Sequence, residues 1–350
     1  MTHMTWKKNG YMFDYELKDA DGNGGFVVDG PEAQSLLGTT ISSVGDMNGD
    51  LIPDFAVMGN GERGSGVPAR VHVIFGSSAR GGELPASVNV TNLDGRNGFT
   101  IEDDETYFLT RIMSSAGDIN GDGVNDLALT TESGGERVVL LLFGKRSTLS
   151  QFFEPVVHPK DITRQSGVRL KGEGFGSSFG DSLAVGRVDG DDRDDLIIGA
   201  PKSAGRSSHG RMVEVGRCVV MFGRSVMERG YFPNSLSAET MNGINGFIIE
   251  GAEEYDNLGC AVASADINGD GIDDIVTGSP HSACAVENGE RKGAVHVVFG
   301  RSGLAFPPML VSDELDARAG FGLCGEKADS GFGRVVAAVG DMDGDGADEG

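Results

Sequence analysis

The chain is poor in basic residues, aromatics, cysteine and long apolar runs, and each shortage removes a class of function. Lysine and arginine total 29 against 53 aspartates and glutamates, a formal net charge of −24 over 350 residues. Nucleic acid and anionic membrane surfaces both reward basic patches, so neither is expected as a partner. No stretch approaches the ~20 apolar residues needed to span a bilayer, and residues 1–20 hold no apolar core of a secretion signal. Direct membrane insertion is therefore not expected of this chain.

Four cysteines are too few for a disulfide scaffold of this size, and without a CxxC pair a zinc site is not expected. Cys218 (RCVVMFG) and Cys260 (LGCAVAS) lie in apolar runs that suit buried small hydrophobes, and one bridge, involving Cys284, is left open. The six histidines do not cluster. His72 and His296 occupy equivalent places in two repeats and read as structural, while His158, His209 and His281 fall in loops. No acid, base and nucleophile converge in the sequence, so catalysis within this chain is not expected.

What the chain has in plenty is glycine, 56 residues, and an acidic loop that returns five times, starting at Asp46, Asp118, Arg187, Asp266 and Asp341. These starts are 72, 69, 79 and 75 residues apart, so one structural unit is repeated. The loops span 46–54, 118–126, 187–195, 266–274 and 341–349, with side-chain oxygens at positions 1, 3, 5 and 9 in most copies. Alternating oxygens around a glycine turn suit a hard divalent cation. Calcium accepts six to eight oxygens at about 2.3–2.6 Å without a strict octahedron, so it fits better than magnesium. An EF-hand is excluded: it needs a bidentate Glu at position 12, where Val57, Leu129, Ile198 and Thr277 stand, and its flanks are helical.

Each repeat carries β-prone runs in constant order. A run precedes the acidic loop at 36–44, 179–185, 258–264 and 332–339, and a second follows it, as at 195–201 and 274–280. A third run falls at 71–78, 138–147, 218–225 and 295–302, and a fourth at 25–30, 98–103, 167–172, 246–251 and 320–325. Glycine, proline and aspartate bound them, which predicts a four-stranded antiparallel meander per repeat. Such a sheet has two apolar faces and must stack on neighbours, so the expected fold is all-β, a β-propeller.

Phe179-Gly180, the loop from Asp189 to Asp195, and Gly199-Ala200-Pro201 resemble the FG-GAP repeat of integrin α-subunit propellers and their bacterial relatives. The segment 84–101 is similar to inter-blade linkers of the bacterial type. The resemblance covers 24–350 and leaves 1–23 as an N-terminal extension. It implies a seven-bladed family propeller, of which this chain would be a fragment holding four complete blades and pieces of a fifth. It also implies calcium between the first and second strands, held by Asp46, Asn48, Asp50, Ile52 and Asp54 in loop one. Loop two would use Asp118, Asn120, Asp122, Val124 and Asp126; loop four Asp266, Asn268, Asp270, Ile272 and Asp274, with the apolar residue in each set offering its carbonyl. Loop five would use Asp341, Asp343, Asp345 and Glu349. In loop three Arg187 replaces the first Asp, and its guanidinium is expected to pair with Asp189, Asp191 and Asp195 and weaken or abolish calcium binding.

The function so implied is a calcium-binding, non-enzymatic adhesion or recognition module, extracellular or at the cell surface, with a protein or glycan ligand on one propeller face. Asn89-Val90-Thr91 is a glycosylation sequon compatible with that setting. One alternative is an accessory propeller of a larger enzyme, as in glycosylphosphatidylinositol-specific phospholipase D. A carbohydrate-binding propeller is the second, though the single Trp, Trp6, lies outside the repeats.

Overall fold

The structure is a computed structural model and describes residues 4–8, 11–15, 25–31, 35–59, 68–77, 85–104, 106–147, 152–174, 176–207, 209–284, 290–303 and 305–348. Four antiparallel meanders follow one another along it. Blade one is Leu37–Gly45, Asp54–Gly59, Arg70–Ile74 and Gly98–Glu102. Blade two is Phe108–Gly117, Asp126–Ser133, Glu136–Leu142 and Gly167–Lys171. Blade three is Ser182–Gly186, Asp195–Ala200, Arg217–Met221 and Gly246–Glu250. Blade four is Val262–Ala265, Asp274–Ser279, Ala294–Val298 and Gly320–Cys324.

The period-2 alternation of each strand decides how blades stack. Leu127, Leu129 and Leu140 of blade two face Met58, Val73 and Phe99 of blade one, whereas Ala128, Val139 and Leu141 face Leu196, Ile198 and Val219 of blade three. Blade three repeats the device, turning Ile197, Cys218 and Val220 towards Ile275 and Val298 of blade four. Fully burying such a side chain contributes about 1.5–3 kcal/mol, so inter-blade packing dominates the core. First strands of successive blades lie against one another, which gathers them at one edge of the stack. The fold is an all-β propeller of four-stranded antiparallel blades.

A fifth, parallel strand joins neighbours. Between its third and fourth strands each blade sends a short segment to the fourth strand of the blade before: Val156–Val157 to blade one, Ser235–Ser237 to blade two and Met309–Val311 to blade three. Ser87–Asn89 of blade one does the same to Val27–Asp29. Residues 27–29 therefore stand as the fourth strand of a further repeat. The same connections bring an aromatic across the seam. Phe153 stacks on Phe99 with centroids 4.4 Å apart, and Phe306 on Phe247 at 4.2 Å.

Three expectations change. The first strand of blade two, Phe108–Gly117, has no Phe-Gly and was not among the expected runs. The run 332–339 forms no regular strand; only Phe332 makes an isolated bridge, to Gly293, because no second strand lies against it among the described residues. Cys260 is half-buried and precedes its strand instead of lying in it, while Cys218 is fully buried. Cys284 and Cys324 form a disulfide that ties the connection after the second strand of blade four to the end of its fourth. In the extension, Met4–Lys8 pairs with Tyr11–Tyr15 as a two-stranded antiparallel sheet.

Candidate metal centre

Each of the first four acidic loops connects the first strand of a blade to its second. Their carboxylates are oriented by the loop's own main chain. Asp46 accepts from the N–H groups of Gly49, Asp50 and Leu51 at 2.7–3.1 Å. Asp118 and Asp266 accept likewise from positions 5 and 6, Asp122 and Gly123 in the one, Asp270 and Gly271 in the other. Asp341 takes Gly344, Asp345 and Gly346. The position-5 carboxylate then accepts from position 7 in all five loops, at 2.8–3.0 Å. The result is a tight turn with its acids drawn inward.

The position-9 aspartates do something different. Asp54, Asp126, Asp195 and Asp274 are at most 2% exposed. Each accepts the N–H of position 2 with one oxygen and, with the other, the N–H of the glycine two residues past the third strand. They lock the loop to its own blade and retain free lone pairs. Burial pushes Asp54 up to about 7 and Asp274 up to about 6, with loop carboxylates adding to the rise and main-chain N–H groups opposing it. Asp126 and Asp195 are held well above the usual carboxylate range, chiefly by burial. A divalent cation beside them would reverse this, since a neighbouring positive charge favours the ionised form.

Loop two gives the sharpest test of fit. Asn120 is 2% exposed; its Nδ2 donates to Asp126 at 3.3 Å, and its Oδ1 has no hydrogen-bond partner. A buried acceptor without a partner costs about 1–3 kcal/mol. The unpartnered oxygen stands at position 3 of the loop that also carries Asp118, Asp122 and Asp126, and a hard cation bound there would take it as a ligand. The residues fit the ion. In loop five the exposed carboxylates of Asp341, Asp343 and Asp345 have oxygens within 4.8 Å of one another. Glu349 lies outside the described residues.

Loop three corrects an expectation. The Arg187 side chain is 57% exposed and Nε pairs with Asp194 Oδ1 at 3.0 Å, instead of turning in to Asp189, Asp191 and Asp195. The guanidinium among the loop's acids is that of Arg193 at position 7, which pairs with Asp191 at 2.9 Å. Asp191 N–H donates to Asp189, the bond from position 5 to position 3 that loops one, four and five also make.

The residues missed in the sequence are those at position 8. Asn125 Oδ1 accepts from Asp46 N–H of the preceding loop at 2.9 Å. Asp194 accepts from Asp118 at 2.7 Å, Asp273 from Arg187 at 2.7 Å and Asp348 from Asp266 at 3.2 Å. A recurring Asn or Asp before the position-9 acid was the available signal.

Blades stacked in series, each with an acidic loop after its first strand, define a repeat propeller with candidate cation loops at its seams. Residues 259–298, from the turn before the first strand of blade four to the end of its third, match the model of the FG-GAP repeat family. The chain is 34% identical over 157 residues to integrin alpha-IIb of Mus musculus, which covers 44% of this chain and 14% of the integrin. It is 33% identical over 135 residues to integrin alpha-5 of Xenopus laevis, covering 38% and 11%. Similarity also extends to phosphatidylinositol-glycan-specific phospholipase D of Dictyostelium discoideum, 26% identical over 218 residues, covering 60% and 21%. The chain is an integrin-alpha-like FG-GAP propeller. It spans less than a quarter of the length of these three relatives.

Proposed function

We propose that the chain is a calcium-binding, non-enzymatic recognition module of adhesion type, in which calcium at loops one, two, four and five is mainly structural. The observation that carries the cation reading is the buried, unpartnered Oδ1 of Asn120 in a loop whose side chains at positions 1, 5 and 9 are carboxylates. Similarity to integrin alpha subunits supports the adhesion role, an extracellular or cell-surface setting, and a protein or glycan ligand on one propeller face. Millimolar extracellular calcium would fill even weak sites of this kind. Position-7 carbonyls, Ile52, Val124 and Ile272, complete the proposed ligand sets.

A second reading, an accessory propeller in a larger enzyme, is favoured by the similarity to the Dictyostelium phospholipase D. In both readings this chain binds calcium and does no chemistry.

Equilibrium dialysis against calcium tests the assignment. Asp118→Ala is expected to lose one bound ion relative to the unchanged chain, and Asp189→Ala none. Equal stoichiometry in all three would remove loop two from the proposal.

A further inference from the structure

Each of the first four acidic loops is gripped by the loop that follows it. Besides accepting from position 1, the position-8 residue returns its own N–H to the same residue's carbonyl: Asn125 to Asp46 at 2.9 Å, Asp273 to Arg187 at 3.2 Å, Asp348 to Asp266 at 2.7 Å. The exit of the following blade's third strand pairs with the next two loop residues. Lys145 and Ser147 donate to Met47 and Asn48, and Arg224 and Val226 to Ile119 and Asn120, all at 2.7–3.0 Å. The residue before position 1 is shaped for this contact. A Cβ on Gly117, whose φ is +62°, would meet the Asp194 carboxylate at 2.2 Å, and one on Gly45, at φ +70°, would meet Asn125 at 2.4 Å. Both glycines adopt a left-handed backbone that other residues rarely take.

We propose that the position-8 side chain of each following loop, Asn125, Asp194, Asp273 and Asp348, is a positioning residue for the cation site of the loop before it, so that the loops order as a coupled series. This rests on the cation reading above. Asp194 shows the consequence. Loop three lacks the position-1 carboxylate, yet its Asp194 still holds Asp118 of loop two with Oδ2 while Oδ1 takes Arg187. A loop without a cation thus remains necessary to its neighbour. Pro53 at position 8 of loop one cannot serve in this way, and loop one receives its clamp from Asn125.

The test is hydrogen exchange of segments 118–126 and 266–274 in the full chain as calcium is titrated, for the unchanged chain and for Asp194→Ala, Asp194→Asn and Arg187→Ala. Losing one hydrogen bond predicts that Asp194→Ala needs roughly fivefold more calcium to protect 118–126. Protection of 266–274, clamped by Asp348, should not move. Asp194→Asn keeps an acceptor, as Asn125 does naturally, and should behave as the unchanged chain. An unmoved midpoint at 118–126 in Asp194→Ala overturns the proposal, as does an equal shift at both segments, an Asn variant behaving like Ala, or the same shift from Arg187→Ala. Absence of calcium protection in the unchanged chain would instead remove the cation reading itself, and the proposal with it.

Discussion

Asp126 and Asp195 form a matched pair on which the cation account can be tried. Both are fully buried and share two main-chain partners, Ile119 and Gly144 at 3.1 and 2.9 Å for Asp126, Val188 and Gly223 at 2.8 Å each for Asp195; each has a third donor at 3.3 Å, Asn120 Nδ2 for Asp126 and Asp189 N–H for Asp195. Truncation to alanine leaves the two shared main-chain donors without an acceptor, at about 1–3 kcal/mol each, so about 2–6 kcal/mol from these two. Part of this is returned in chelator, because removing a carboxylate whose ionised form burial disfavours relieves that penalty. With calcium present the two sites should diverge. Asp126→Ala additionally loses a proposed ligand, so its destabilisation should grow in calcium, whereas that of Asp195→Ala should be the same in calcium and chelator. Urea unfolding of both variants in each condition reads the difference. Equal calcium sensitivity in the two variants would refute the assignment of loop three as the defective copy, and insensitivity of Asp126→Ala would refute loop two as a site.

Other consequences follow from single residues. Burial holds His72 down to about 4 against an ordinary 6.5, so it stays neutral in the fold; its contribution is complete above about pH 6.5 and is lost as pH falls towards 4. That gap corresponds to at most about 3 kcal/mol, and the fall in stability over this range, measured by urea unfolding in saturating calcium, should be shallower in His72→Gln; an unchanged slope would contradict it. In chelator Asp54 acts with the opposite sign, adding stability below about pH 3.8 that is lost as pH rises through 7. Reducing Cys284–Cys324, 40 residues apart, should cost about 4 kcal/mol by loop-closure entropy, seen as a lower melting temperature with reductant that Cys324→Ser reproduces. His296 Nδ1 is buried without a partner, and the Cβ of a residue at Gly322 would lie 3.4 Å from it; His72 has Thr100 in the equivalent place at 2.9 Å. Gly322→Ser should therefore raise the melting temperature, by about 1 kcal/mol of stability, and an unchanged or lower value would contradict the equivalence.

The loops and strands could be read in the sequence because their chemistry needs fixed residue types at fixed spacings. Position-9 acids and the apolar runs after them recur for that reason, and so did the fourth strand at 27–29. The strand Phe108–Gly117 escaped because it lacks the Phe-Gly landmark, although it takes the same place in its blade. The position-8 clamp escaped because its bonds join residues 76–86 apart and end on a backbone N–H, which any short acceptor can hold. Arg187 was placed wrongly because its neighbour Asp194 competes with the loop acids and wins by geometry that spacing does not reveal. The parallel strands of two or three residues are too short to leave a pattern.

Thermal unfolding of the unchanged chain and of Arg187→Asp, as calcium is titrated against a chelator, shows whether the loops bind calcium in the folded state. A cation bound only by the folded state must raise the melting temperature as its concentration rises. That rise is expected in the unchanged chain and should be larger in Arg187→Asp, where loop three regains its first carboxylate. A folded chain whose melting temperature is the same in calcium and in chelator would contradict it.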